Sequence, residues 1–208
     1  MRPGRNDQVV LRRQPQKYPQ FEFRNVAASG KIWTGQGTAT EHRVPSLETL
    51  PRNQWPDENV LSIAFRLSYG KFKFFNGGDL PGIRPNSPAW YDMETPVAKV
   101  VGPVDAAILD HHGYLDSMNE SLVATLSARV WTISVWDAHH PTPSVWERLQ
   151  SERLYPGARG IYAQPDSKMI VLETVARPTG HDESGFLGCP YGSPRCFFHA
   201  AADSLDSQ

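Results

Sequence analysis

Asn59-Val60-Leu61-Ser62-Ile63-Ala64-Phe65-Arg66-Leu67-Ser68-Tyr69-Gly70-Lys71-Phe72-Lys73-Phe74-Phe75-Asn76-Gly77-Gly78-Asp79-Leu80 is the stretch that decides the fold. Past the first apolar pair, apolar and polar residues alternate to Leu67, which suits a strand running over Val60 to Leu67. Tyr69-Gly70-Lys71 reads as a turn and Phe72 to Phe75 as the returning strand. The hairpin delivers Asp79 into a loop that Gly77 and Gly78 loosen.

Downstream, the pattern changes period. Glu94 to Val101 reads as a short helix with Pro96 in its first turn. Ala106 to Leu109 reads as a buried strand. Asn119 caps a helix from Glu120 to about Leu126, and Val130 to Trp136 is a further strand. Pro143 to about Leu154 is an amphipathic helix with Val145, Leu149 and Trp146 inward. Arg159 to Ala163 and Met169 to Val175 read as closing strands. From Glu58 the order is β-β-α-β-α-β-α-β-β, an α/β layered arrangement. Upstream, Val9-Val10-Leu11, Phe21 to Val26 and Lys31-Ile32-Trp33 read as short strands, and residues 38–57 as a polar surface loop. Three segments follow: 1–57 with N-terminal strands and a long loop, 58–175 as the α/β unit, and 176–208 as a loosely ordered tail.

Apolar residues make up 39% of the 208 positions and aromatics 11%, enough for a core. The formal net charge of −1 gives no electrostatic case for nucleic acid as an obligatory partner. A phosphoester stays possible as a substrate, because a metal can supply positive charge locally. No apolar run is long enough for a membrane helix. No apolar stretch follows the charged start, so no secretory signal is read and the default expectation is cytoplasmic. Cys189 and Cys196 are therefore expected as free thiols.

Three loops each follow a strand and carry metal-capable groups: Asn76-Gly77-Gly78-Asp79, Asp110-His111-His112-Gly113 and Asp137-Ala138-His139-His140-Pro141. Four of the chain's seven histidines lie in the last two. Ligands of layered α/β folds gather beyond the C-terminal ends of strands. If the three strands are neighbours, a carboxylate and several imidazoles meet there. That donor mixture suits zinc, with manganese or iron as alternatives.

The run from Asp57 to Ser62, the Tyr69-Gly70-Lys71 turn, the strand Phe72 to Phe75 and Gly78-Asp79-Leu80 together resemble a segment of metallo-β-lactamase-fold hydrolases of the competence-protein DNA-uptake type. Leu109-Asp110-His111-His112-Gly113 resembles their His-His-Gly motif. His140-Pro141 through Glu147-Arg148-Leu149 resembles their His-Pro, apolar, Glu-Arg-Leu segment. The resemblance covers roughly residues 58–163. It implies a partial αββα layered sandwich, one β-layer plus helices. It implies a metal-dependent hydrolase acting on a phosphoester or other small-molecule substrate. Asp79 would bind the metals. His112, or its neighbour His111, would be a ligand or the proton donor to the leaving group. His140 would be a late ligand, with His139 as alternate. Asp110 and Asp137 would orient imidazoles from behind, or simply cap their loops.

The family's leading His-X-His-X-Asp-His stretch has no counterpart here; His42 is the only histidine before His111. The expectation is a metallo-hydrolase fragment, poorly active alone, with an incomplete site. The alternative is a non-catalytic binding module derived from the same fold. A lone β-layer would leave Phe65, Phe74, Phe75, Trp131 and Trp136 partly uncovered, inviting self-association or a complementing chain.

Overall fold

The computed structural model describes residues 1–82, 85–135, 139–154, 156 and 169–174; for Val135 and 169–174 the description is of the backbone alone. The strands are β1 (Phe21–Ala28), β2 (Lys31–Trp33), β3 (Thr40–His42), β4 (Ala64–Tyr69), β5 (Phe72–Asn76), β6 (Ala106–Ile108), β7 (Val130–Val135) and β8 (Met169–Thr174). They form one mixed sheet in the order β3-β2-β1-β4-β5-β6-β7-β8. The half from β3 to β5 is antiparallel. From β5 to β8 the strands run parallel. Helices α1 (Glu94–Val101), α2 (Glu120–Leu126) and α3 (Pro143–Gln150) alternate with the parallel strands, so the chain is an α/β protein.

The expected helices α1 and α2 are found with the anticipated ends. In α1 the buried residues are Glu94, Val97, Ala98 and Val101, an i, i+3, i+4, i+7 stripe. Asn119 caps α2 by accepting from the Leu122 amide at 2.8 Å. Three expectations shift. Val9–Leu11 is not in a strand. The hairpin strand β4 starts at Ala64, because the Asp57 carboxylate accepts from the Val60 amide and winds Asn59–Leu61 into one 3-10 turn. Helix α3 stops at Gln150, beyond which the Ser151 hydroxyl takes the Leu154 amide. The polar segment 38–57 also contributes β3. The division at residues 57 and 58 does not divide the sheet, since β1 pairs with β4 from Phe21↔Tyr69 to Ala27↔Ala64. Arg159–Ala163, the tail 176–208 with Cys189 and Cys196, Trp136 and Asp137 lie outside the described residues.

Register assigns each side chain to a face. Arg66 lies opposite Phe75, Phe75 opposite Ala107, and Ala107 opposite Trp131, so these share one face. Phe75, Ala107 and Trp131, with Ile133 two positions along β7, are fully buried there. Helix α1 packs against α2, β1 and β2, and α2 packs against α3. Phe23, Leu67, Phe74, Ala106 and Val130 are successive cross-strand partners on the other face, with Phe65 beside them. All of these are half-buried. Phe23 stacks on Phe65 at 4.5 Å, and Phe74 lies 6.2 Å from Phe65. The expected partly uncovered set is thus corrected. Phe65 and Phe74 belong to it, whereas Phe75 and Trp131 point the opposite way, into the core. Among the described residues no helix is long and apolar enough to cross a membrane.

Candidate functional site

The first two loops expected to carry chemistry follow β5 and β6 at the C-terminal ends of these strands, and of the third loop residues 139–141 are described. Backbone hydrogen bonds stitch them together. The His111 amide donates to the Gly78 carbonyl at 3.0 Å, joining the second loop to the first. The Thr142 amide donates to the Gly113 carbonyl at 2.9 Å, joining the third to the second. His111 and His112 adopt left-handed backbone (φ 46° and 55°), and Gly113 continues it at 72°. Left-handed conformation costs about 1–2 kcal/mol per non-glycine residue. Such strain is held in place by surrounding contacts and concentrates at functional positions.

The left-handed turn sends the two imidazoles to different partners. His112 Nδ1 lies 3.0 Å from the Ser134 carbonyl oxygen. A carbonyl only accepts, so Nδ1 carries the proton, and in the neutral ring Nε2 is the acceptor nitrogen. Nε2 faces Asp79 Oδ1 at 3.8 Å. Asp79 is held from behind by its own amide, which donates to Ser62 Oγ at 3.2 Å. His140 stacks on His112, with ring centroids 5.3 Å apart and planes at 25°. Asp79 and His140 thus each lie beside His112.

His111 is held at both nitrogens. Nδ1 meets the buried Asp116 carboxylate at 2.9 Å. Nε2 lies 3.2 Å from the Asn59 side-chain amide. The hydrogen bond with Asp116 raises the imidazole above its usual value; burial opposes this, and Asp116, Asp79 and Asp57 add attraction for the proton. The Asn59 side-chain NH2 donates to Nε2, so the ring proton sits on Nδ1 and points at the Asp116 carboxylate.

Asp110 does not orient an imidazole. Its carboxyl lies against Gly77, where an added Cβ would overlap it, and beside Glu94. Burial first, then the Glu94 charge, pushes Asp110 well above the ordinary carboxylate range, against the pull of the Gly77 amide. Glu94, also fully buried, is pushed up to about 8 by burial, although the Met118 and Asn119 amides donate to it at 2.5 and 2.7 Å. In this dry site the charge of each acid disfavours ionisation of the other. The orienting roles expected of Asp110 fall instead to Asp116 and the Ser134 carbonyl. His139 is exposed.

Asp79, His112 and His140 were expected as the metal ligands. Among the described residues, no group of three or more His, Cys, Asp or Glu side chains is disposed to hold a metal ion. Tetrahedral zinc needs lone pairs converging on one point at about 2.0–2.1 Å from each nitrogen. Sequence reasoning missed Asp116 and Glu94 as parts of this site, and Tyr114, whose ring centroid lies 5.4 Å from His111 and 5.8 Å from His140. Glu94 left a trace, a carboxylate on the apolar stripe of α1; Asp116 and Tyr114 belong to no spacing pattern. No family model, curated protein or solved structure matches the chain.

Proposed function

We propose that this chain is the later half of a metallo-β-lactamase-type hydrolase, acting on phosphoester-type bonds when complete and poorly on its own. The three motifs between residues 58 and 163 support the reading. So do the one β-sheet among the described residues and its half-buried apolar face opposite Phe75 and Trp131. The observation that carries it is the Asp79–His112 pair. His112 Nε2 is turned toward Asp79 Oδ1 at 3.8 Å while Nδ1 is committed to Ser134. A metal-ligating histidine is fixed in this way, its second nitrogen donating to a carbonyl behind it.

Asp79 and His112 form two arms of a site for zinc or manganese, and His140, stacked on His112, is the third donor. The described residues alone do not fit a complete ion site. A bound ion there would supply a water of lowered pKa and positive charge for the transition state. The chain's own residues handle orientation and protons. Ser134 sets the tautomer of His112, and Asp116 with Asn59 fixes the His111 ring beside it. The remaining donors would come from a complementing chain docked on the apolar sheet face.

Zinc and manganese binding, measured by calorimetry and by metal content after dialysis, tests the reading. Substoichiometric, weak binding is expected, and Asp79→Ala should abolish it. Two tightly held ions per chain with brisk phosphodiester hydrolysis would overturn the half-site. Unchanged binding in Asp79→Ala would remove Asp79 from its role. A second reading, a non-catalytic binding module, is favoured by the lack of a three-donor group among the described residues. A phosphodiesterase and esterase screen with the metal-loaded chain separates the two.

A further inference from the structure

Phe21, Tyr69 and Phe72 are successive cross-strand partners on β1, β4 and β5. They therefore share one face, on which Phe23, Leu67 and Phe74 form the next row inward. Phe72 opens β5 and Asp79 follows its far end, so the row stands at the other end of β5 from the Asp79–His112 pair. The inner row is half-buried, whereas Tyr69 and Phe72 are 47% and 46% exposed. Tyr18, 43% exposed, extends the row, its ring centroid 6.1 Å from that of Tyr69. The Tyr18 carbonyl accepts from the Phe21 amide at 3.1 Å, and the Gln20 side-chain oxygen lies close against Gly70. Residues 18–21 are thus laid along the hairpin turn, and three open rings are neighbours in turn.

The charge around these rings has one sign. All of them come from residues 8–21 and 59–78, where neither stretch holds an Asp or Glu and each holds three Lys or Arg, although the chain's net charge is −1. Arg12, Arg13, Lys17 and Lys71 are exposed and, among the described residues, in no ion pair. Lys17 precedes Tyr18, and Lys71 sits in the turn between Tyr69 and Phe72. Two acids toward this end are engaged. Glu22, on the opposite face, pairs with Arg24 at 3.0 Å and Arg66 at 3.3 Å, and Asp105 accepts from the Lys73 amide at 2.8 Å. Free cations around open rings select a ligand with flat apolar faces on an anionic backbone. Nucleobases offer such faces only when unpaired. A bilayer fits less well, because the turn that would enter it is Gly70-Lys71, which has no apolar residue.

We propose that Tyr18, Tyr69 and Phe72 are a stacking platform for the bases of a single-stranded nucleic acid, whose phosphates meet Lys17 and Lys71. The rings supply contact that tolerates any base, and the two lysines flank them for the backbone. This goes beyond the hydrolase reading and does not depend on it.

The full chain is titrated into labelled oligothymidylate and oligouridylate of about twelve nucleotides, followed by fluorescence anisotropy. Binding of at least one strand is expected, weakening as salt rises from about 50 to 200 mM, and the tighter of the two names the sugar. Phe72→Leu keeps apolar bulk and removes the ring. It should weaken binding about tenfold with an unchanged melting temperature. Tyr69→Leu, made separately, should do the same and serves if Phe72→Leu melts lower. Lys71→Gln should flatten the salt dependence, lowering its log–log slope by about 0.7. Failure of both strands to bind overturns the inference, as does equal affinity in the two ring variants. Polyphosphate or a blunt duplex bound as tightly as the single strand also overturns it, because neither offers an unpaired base. All of these outcomes leave the Asp79–His112 reading to its own metal titrations, which report on the other end of β5.

Discussion

His111 and His112 are adjacent in sequence and of one type, yet the chain gives them different chemistry. The difference lies in what stands behind each ring, a buried carboxylate for one and a backbone carbonyl for the other. In the metal-free protein this has a pH consequence. Folding raises His111 above its unfolded value of about 6.5, so the native state binds the proton more tightly. The stabilisation is therefore fully present below about pH 6.5 and is lost as pH climbs through the raised folded value. Asp116→Asn should cost about 1.5–3 kcal/mol at pH 6. The deficit should shrink toward pH 9, as read from urea unfolding at both pH values. A deficit of equal size throughout would mean that Asp116 acts through packing alone. At this scale the sequence was partly legible. The two His-His pairs and Asp79 are visible because glycine, strand ends and repetition mark them. Asp116 and Tyr114 are not, because their roles arise from a left-handed turn that no local residue preference announces.

Secondary structure was far more legible, and the reason is local. The ends of α1 and α2 follow from Pro96, Asn119 and apolar spacing, all of which act within one or two helical turns. Asn119 does more than cap. Its side-chain amide also donates to Asp92 Oδ1 at 3.0 Å and Thr95 Oγ1 at 3.1 Å, tying the start of α2 to the start of α1. Asn119→Ala should destabilise the protein by about 1–2 kcal/mol, read as a lower urea midpoint with an unchanged slope. A smaller effect would mean that the Glu94 hydrogen bonds to the Met118 and Asn119 amides suffice to hold the helix start. The misplaced start of β4 has the opposite origin. Val60 and Leu61 look like strand residues, but Asp57, just upstream, captures the Val60 amide first.

Across the whole molecule, the two faces of the sheet differ in what covers them. Phe75, Ala107, Trp131 and Ile133 are fully buried on the helix side, whereas Phe23, Phe65, Leu67 and Phe74 are half-buried opposite them. Contiguous apolar surface of this kind drives association. The wild-type chain should show concentration-dependent self-association by sedimentation velocity, and Leu67→Lys, at the centre of that face, should shift it toward monomer. Association unaffected by Leu67→Lys would direct attention to another surface. Alternation alone could not tell which of Phe74 and Phe75 faces the helices; only the cross-strand register with Ala106 and Ala107 decides it. The same register has a consequence for the order in which the chain is assembled. Strand β1 sits between β2 and β4, so the first strand synthesised is completed on its second side only after residues 64–69 emerge. A nick in the connecting segment between Arg43 and Asp57 would leave two pieces still zipped along β1 and β4. A chain begun at Glu58 would meet solvent along the whole flank that β1 now occupies.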